Sequence, residues 1–203
     1  MYAKPQFTVS DTAKLLDFIW QFPLASLVYL GDTTMDSCQI PMLPFSENET
    51  LYLRGHVAKR NPIWRQARET VEHLAVFSGP NHYISPGWYP HKKDDAGVVP
   101  TWNYTVVQAR GSLQFIEDND WKREAVTKLT EHHESAQPRP WKVSDAPAQF
   151  IANLLDAIVG VEMRVSQLEG IFKLSQNQPV SAQRQVTAQL EALGSPLSTW
   201  MQR

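Results

Sequence analysis

Leu51-Tyr-Leu-Arg-Gly-His-Val-Ala-Lys-Arg-Asn-Pro62 is the stretch on which the fold reading turns. Thr50 to Val57 reads as a strand rich in β-formers. Asn61 is a good helix N-cap and Pro62 suits the first helical position, so the letters predict a helix from Pro62 to about Glu72. The strand would then deliver His56, Lys59, Arg60 and Asn61 to a helix start. Free N–H groups and the positive end of the helix dipole would lie beside two cationic side chains there. A phosphate would be stabilised at such a junction. An exposed basic loop with a helix cap reads from the same letters.

Working outward, Ser10 or Asp11 can cap a helix that buries Leu15, Leu16, Ile19 and Trp20, and Pro23 stops it. Strands follow at Leu24 to Leu30, Ser37 to Leu43 and Leu74 to Phe77. Val106 to Ile116, Val159 to Leu168 and Phe172 to Leu174 read as strands too. Helices are expected from Asp118 or Asn119, with Trp121, Ala125, Val126 and Leu129 inward, and from an Asp145 cap, with Phe150, Ile151, Leu154, Leu155 and Ile158 inward. A further helix spans 181–193 behind Ser181, and the last ten residues read as a tail. Strands cluster without regular β–α–β alternation, which predicts an α+β barrel or sheet rather than a doubly wound fold.

Two further segments could carry chemistry. Residues 78–104 hold four prolines, which argue against a continuous helix or central strand, yet also Tyr83, Trp88, Tyr89, Trp102 and Tyr104. Flat aromatics with polar tips suit a wall against a planar ligand or a second subunit, or they pack the loop onto its own core. In Phe172-Lys-Leu-Ser-Gln-Asn177, strand alternation places Lys173, Ser175 and Asn177 on one face and Gln176 on the other. That is either a ligand-contact set or a polar edge strand.

Composition narrows the classes. The chain has 203 residues, enough for one domain with an appendage. Its 42% apolar and 20% charged residues exclude general disorder. Nineteen Lys plus Arg against 21 Asp plus Glu give a net charge of −2, unlike the basic balance of most nucleic-acid modules. The single cysteine, Cys38, excludes an internal disulfide and a cysteine-based zinc site. The most apolar run, Leu15 to Leu30, is broken by Asp17, Gln21 and Pro23 and is too short to cross a bilayer. With no secretion-type N-terminus, a cytoplasmic protein with no membrane partner is expected. Phosphate-loop, dinucleotide and nucleophile-elbow motifs are absent. His132-His133-Glu134 diverges around a helix end and is not a metal set, His73 and His91 stand alone, and Glu117, Asp118 and Asp120 read as helix-start charges.

Taken in order, Gly-His-Val-Ala-Lys-Arg-Asn-Pro (55–62), Tyr-Ile-Ser-Pro-Gly-Trp-Tyr-Pro (83–90), Val-Pro-Thr-Trp-Asn-Tyr (99–104) and Lys-Leu-Ser-Gln-Asn (173–177) resemble the PaiB-type FMN-binding negative transcriptional regulators. Pro-Trp-x-Val-x-Asp-Ala-Pro (140–147) and Ala-Ile-Val-Gly-Val-Glu (157–162) add to the likeness, which covers about residues 1–180. The resemblance implies an FMN-binding split β-barrel of about six antiparallel strands with flanking helices. Its domain would span 1–180, with 181–203 a C-terminal helix and tail. It also implies a homodimer with FMN at the interface. His56, Lys59, Arg60 and Asn61 would then surround the phosphate. Tyr83, Trp102 and Asn103 would approach the ring or ribityl chain, and Lys173, Ser175 and Gln176 would contribute from a late strand. The family pattern at 55–62 usually reads Gly-His-x-Ala-Arg-Ala-Asn-Pro, so Lys59-Arg60 adds a cation, and Gln39 stands where a His is frequent. The resemblance leaves open whether DNA or another regulatory partner is bound. A flavin-dependent oxidoreductase using NAD(P)H is the second functional reading, and haem binding or degradation, with His56 or His82 as ligand, the third.

Overall fold

Alternation governs the strands. In β2 (Leu24–Leu30) Ala25, Leu27 and Tyr29 are buried while the residues between them are not. The computed structural model describes residues 1–89 and 98–202. The stretch 90–97 of the aromatic segment, with His91, lies outside them. Around β2 the remaining strands are β1 (Thr8–Val9), β3 (Met35–Pro41), β4 (Leu43–Glu47), β5 (Thr50–Ala58), β6 (His73–Ile84), β7 (Thr101–Ile116) and β8 (Ile158–Lys173). They form one sheet in the order β3-β2-β6-β7-β8-β5-β4, with β1 on β8. The pairings of β2 with β3 and β6, of β5 with β4 and β8, and of β1 with β8 are antiparallel. The expected break between Leu168 and Phe172 is absent, and β8 runs through it. Pro80 sits inside β6, where its carbonyl accepts from Thr105 Oγ1 at 3.2 Å, so the segment 78–104 is strand at both ends.

Six α-helices accompany the sheet among the described residues: α1 (Thr12–Gln21), α2 (Ile63–Gln66), α3 (Asn119–Glu134), α4 (Ala148–Asp156), α5 (Val180–Ala192) and α6 (Leu197–Met201). Asp11 Oδ1 caps α1, accepting from the Ala13 and Lys14 N–H groups at 3.0 and 3.3 Å. Asp118 caps α3 through the Trp121 N–H at 2.8 Å. Asp145 does not cap α4. Its carboxylate accepts from the Lys142 N–H at 2.9 Å and closes the 3₁₀ turn Val143–Asp145.

The chain divides into two units, one of residues 1–18, 78–107 and 169–203, the other of 19–77 and 108–168. In the first, Phe18, Phe172 and Trp200 meet with ring centroids 5.3 to 5.4 Å apart. The last ten residues are therefore not a loose tail. Gly194 at φ +66 ends α5 in a Schellman turn, with Gly194 N–H to Glu191 O and Ser195 N–H to Leu190 O, both at 2.9 Å. That reversal starts α6, which buries Leu197 and Trp200.

In the second unit, α2 has four residues where eleven were expected. Tertiary partners pull the chain straight. Arg68 N–H donates to Leu30 O at 3.0 Å, and the Arg68 side chain reaches Asp32. Buried His73 completes the turn, taking the Leu30 N–H on Nδ1 at 3.3 Å and donating Nε2–H to Arg68 O at 2.8 Å.

Helices α3 and α4 carry a small core of Val143, Ile151 and Leu155, with Val126, Ala146 and Ile158 packed against it. Buried Lys122 joins them by donating Nζ–H to Leu155 O at 2.7 Å and Ile158 O at 3.3 Å, a cation at the C-terminus of α4. Gly160 faces His56 across the β5–β8 ladder, and a Cβ on it would lie 2.8 Å from Trp121 Cε3. The missing side chain lets the Trp121 indole rest on the strand.

Gly160→Val should cost about 1–3 kcal/mol through overpacking, read as a lowered urea midpoint. Trp200→Ala should cost about 3–5 kcal/mol in the same assay, whereas a disordered tail would tolerate it.

Candidate functional site

The expected site residues fall into two groups, one in each unit. In the second unit, β5 ends at Ala58 and the chain turns, with Asn61 N–H donating to Ala58 O at 2.8 Å. Lys59 N–H is held by Ala157 O at 2.8 Å, and Lys59 O accepts from the Trp64 indole N–H at 3.0 Å. Asn61 Oδ1 accepts from the Ile63 N–H at 3.0 Å, the capping role its identity suggested. With α2 a single turn long, a helix dipole has little to add here. Positive charge comes from side chains. Lys59 Nζ pairs with Glu117 at 2.8 Å, and that ammonium holds the Glu117 carboxyl below its usual range. Arg60 is exposed and makes no ion pair among the described residues. It is the cation at this turn that an anion could claim at no loss.

His56 points elsewhere. It lines a cavity of about 410 Å³ together with Val126, Trp141, Ile151, Leu154 and Arg123, and neither Lys59 nor Arg60 belongs to that lining. Burial pushes its pKa below the ordinary value, so the imidazole is neutral near pH 7. A neutral ring offers a hydrogen bond rather than a charge.

In the first unit, Tyr83 and Trp102 meet edge to face, 6.2 Å between centroids at 72°, and both remain substantially exposed. Asn103 is buried and donates Nδ2–H to Ser175 Oγ at 2.8 Å, with Met201 Sδ at 3.7 Å. Its Oδ1 is buried and meets no donor among the described residues. Buried amide oxygens are normally paired, so this acceptor suits a ligand N–H or hydroxyl. Lys173 Nζ donates to Thr101 Oγ1 at 2.5 Å, and burial with Lys4 nearby lowers its pKa. The expected strand alternation through Asn177 fails, because β8 stops at Lys173 and Ser175 adopts φ +64. Gln176 folds back on its own backbone, accepting from the Leu174 N–H at 2.7 Å and donating to Phe172 O. His82 Nδ1–H donates to Tyr83 O at 2.6 Å, and its ring lies 5.8 Å from Trp88.

Sequence reasoning missed Arg123, which lies one turn before Val126 on α3 and lines the same cavity, and Met201, in the supposed tail. No cluster of three or more metal-ligating side chains occurs among the described residues. Nor is any described helix long and apolar enough to cross a membrane.

The family model described as "Putative FMN-binding domain" matches residues 1–167. The chain belongs to that family. An uncharacterized protein of Aspergillus fumigatus is 34% identical over 198 residues, covering 82% of this chain and 74% of that protein. Protease synthase and sporulation protein PAI 2 of Bacillus subtilis is 26% identical over 196 residues, covering 97% of this chain and 92% of that one. Among solved structures, the FAD and heme binding protein from Mycobacterium smegmatis superposes with a TM-score of 0.58 at 14% identity, over 89% of this chain and 79% of that chain. The expected fold class is confirmed as the α+β split-barrel fold of flavin-binding proteins, built here on eight strands rather than about six.

The His56 environment sets a pH dependence. The folded-state pKa lies below the unfolded value of about 6.5, so the unfolded chain binds more protons in that window. Stability should therefore fall as pH drops below about 6.5 toward the depressed folded-state pKa. His56→Gln should flatten that fall in urea titrations made across the window.

Proposed function

We propose that this protein binds FMN, with the terminal phosphate on the turn formed by Lys59, Arg60 and Asn61. The observation that carries the reading is Arg60: an exposed guanidinium without an ion-pair partner among the described residues, next to Lys59, inside the span that matches the FMN-binding family. Arginine takes phosphate oxygens through two parallel N–H donors, and Lys59 adds a second charge by exchanging Glu117 for the phosphate. When bound, FMN supplies a redox-active ring, and this chain's part is to hold the phosphate and offer polar partners to the ring and ribityl chain. Tyr83, Trp102, Asn103, Lys173, Ser175 and Gln176 are the proposed partners from the first unit. His56, expected beside the phosphate, lines a separate cavity in neutral form and is not proposed as a phosphate cation.

The fit rests on two features, Arg60 at the turn and the buried Asn103 Oδ1, neither of which has an ion-pair or hydrogen-bond partner, respectively, among the described residues. We place FMN at a homodimer interface, a reading supported by the exposed Tyr83–Trp102 pair, since aromatic side chains favour interfaces. We further propose a regulatory role, negative control of transcription in the cytoplasm, a reading supported by the similarity to the Bacillus protein named for protease synthesis and sporulation. With a net charge of −2, DNA contact would be local or through a partner.

Replacing Lys59 and Arg60 together by Ala should weaken FMN binding by about tenfold or more, measured by quenching of flavin fluorescence. Unchanged affinity would place the phosphate elsewhere. The same sample separates the functional readings. A sequence-specific, salt-sensitive gel shift supports the regulator, whereas bleaching of bound flavin by NADH or NADPH supports an oxidoreductase.

A further inference from the structure

The cavity beneath α3 and α4 is not used by the phosphate turn. Its volume of about 410 Å³ lies within the usual range for small-ligand sites, about 300–1,000 Å³. Val126, Ile151 and Leu154 give it apolar walls, and Trp141 stands half-exposed at its edge. Two polar groups reach it. His56 makes no side-chain hydrogen bond among the described residues, and its ring nitrogens are not among the sealed, unpaired atoms, so a molecule in the cavity can meet them. Arg123 is exposed and makes no ion pair among the described residues. Among the described residues no carboxylate lines the cavity. Glu131 lines the adjoining cleft of about 440 Å³, which shares Arg123, Val143 and Ile151.

An apolar chamber with one neutral hydrogen-bonding ring inside and one unopposed cation at its lining selects a definite chemistry. The ligand must be mostly hydrocarbon, because burying further polar groups without partners would be costly. It must also carry one negative charge, because Arg123 is the one formally charged side chain of the cavity lining among the described residues and makes no ion pair with Glu131 of the adjoining cleft. We propose that this cavity is a second ligand site of the protein, taking a small aromatic acid with its ring among Val126, Ile151 and Leu154 and its anionic group on Arg123. His56 takes a hydrogen bond from, or gives one to, a polar substituent of the ring. Trp141 covers the exposed edge of the ring as an aromatic neighbour. The site lies wholly within the unit of residues 19–77 and 108–168. It goes beyond the FMN reading and does not require it.

The test is calorimetric titration of the full-length protein with anilinonaphthalene sulfonate, an aromatic anion, with and without saturating FMN. One probe per chain should bind whether or not FMN is present, and naphthoate should displace it. Arg123→Ala and Leu154→Glu, both substitutions at exposed positions, should each weaken the probe by about fivefold or more, while Arg123→Lys retains most of the affinity. The Lys59→Ala, Arg60→Ala double variant should lose FMN and keep the probe. Unchanged affinity in both cavity variants would overturn the proposal by placing the probe elsewhere. Stoichiometric displacement of the probe by FMN would also overturn it, since the cavity would then hold the flavin. So would loss of the probe with a doubling of mass, which would give the cavity to a second copy. If wild-type protein ignores FMN while the probe still responds to Arg123 and Leu154, the FMN reading fails and this one stands.

Discussion

Trp121 can lie on the sheet only because position 160 has no side chain, and much of the chemistry in residues 19–77 and 108–168 depends on that close approach. Gly160 pairs with His56, so the glycine and the imidazole share one face of the β5–β8 ladder. The indole brings the first turn of α3 down onto that face. Lys122, the next residue, ties α3 to the carbonyl end of α4. The result is a roof of two helices over His56, leaving a cavity instead of a filled core. A bulkier residue at 160 would lift α3 and disturb both the roof and the chamber.

The same strand carries two functions along its length. Near its end His56 and Ala58 line the apolar cavity, where burial keeps His56 neutral. Immediately beyond Ala58 the chain leaves the ladder and exposes Lys59 and Arg60 to solvent. Sequence neighbours thus sit in opposite electrostatic settings. Lys59 is already paired with Glu117, and an exposed pair of this kind contributes little to stability. It is easily given up for a dianionic phosphate. Arg60 needs no such exchange.

The strands were largely legible because period-two burial writes itself into the letters, as in Ala25, Leu27 and Tyr29 or along β7. Helix starts with a short acidic cap, Asp11 and Asp118, were legible for the same local reason. What failed was decided at a distance. Residues 67–72 have helical composition, but the Leu30 carbonyl and Asp32 hold Arg68 out of a helix. Trp200 looked like part of a tail because its partners, Phe18 and Phe172, are far away in sequence. Ser175 ends a strand through a positive φ that serine rarely adopts, and no letter announces that. The family resemblance supplied the ligand, FMN, while periodicity alone gave a basic turn. It could not show that His56 parts company with Lys59 and Arg60, nor that Arg123 joins it.

The central claim is that a phosphate anchors the flavin at the Lys59–Arg60 turn, so removing the phosphate from the ligand tests it most directly. Calorimetric titration of the wild-type protein with FMN and with riboflavin, under identical salt, isolates that group. The account predicts that FMN binds about tenfold or more tightly than riboflavin, with the difference shrinking as salt rises. Equal affinity for the two flavins, or binding of neither, would contradict it.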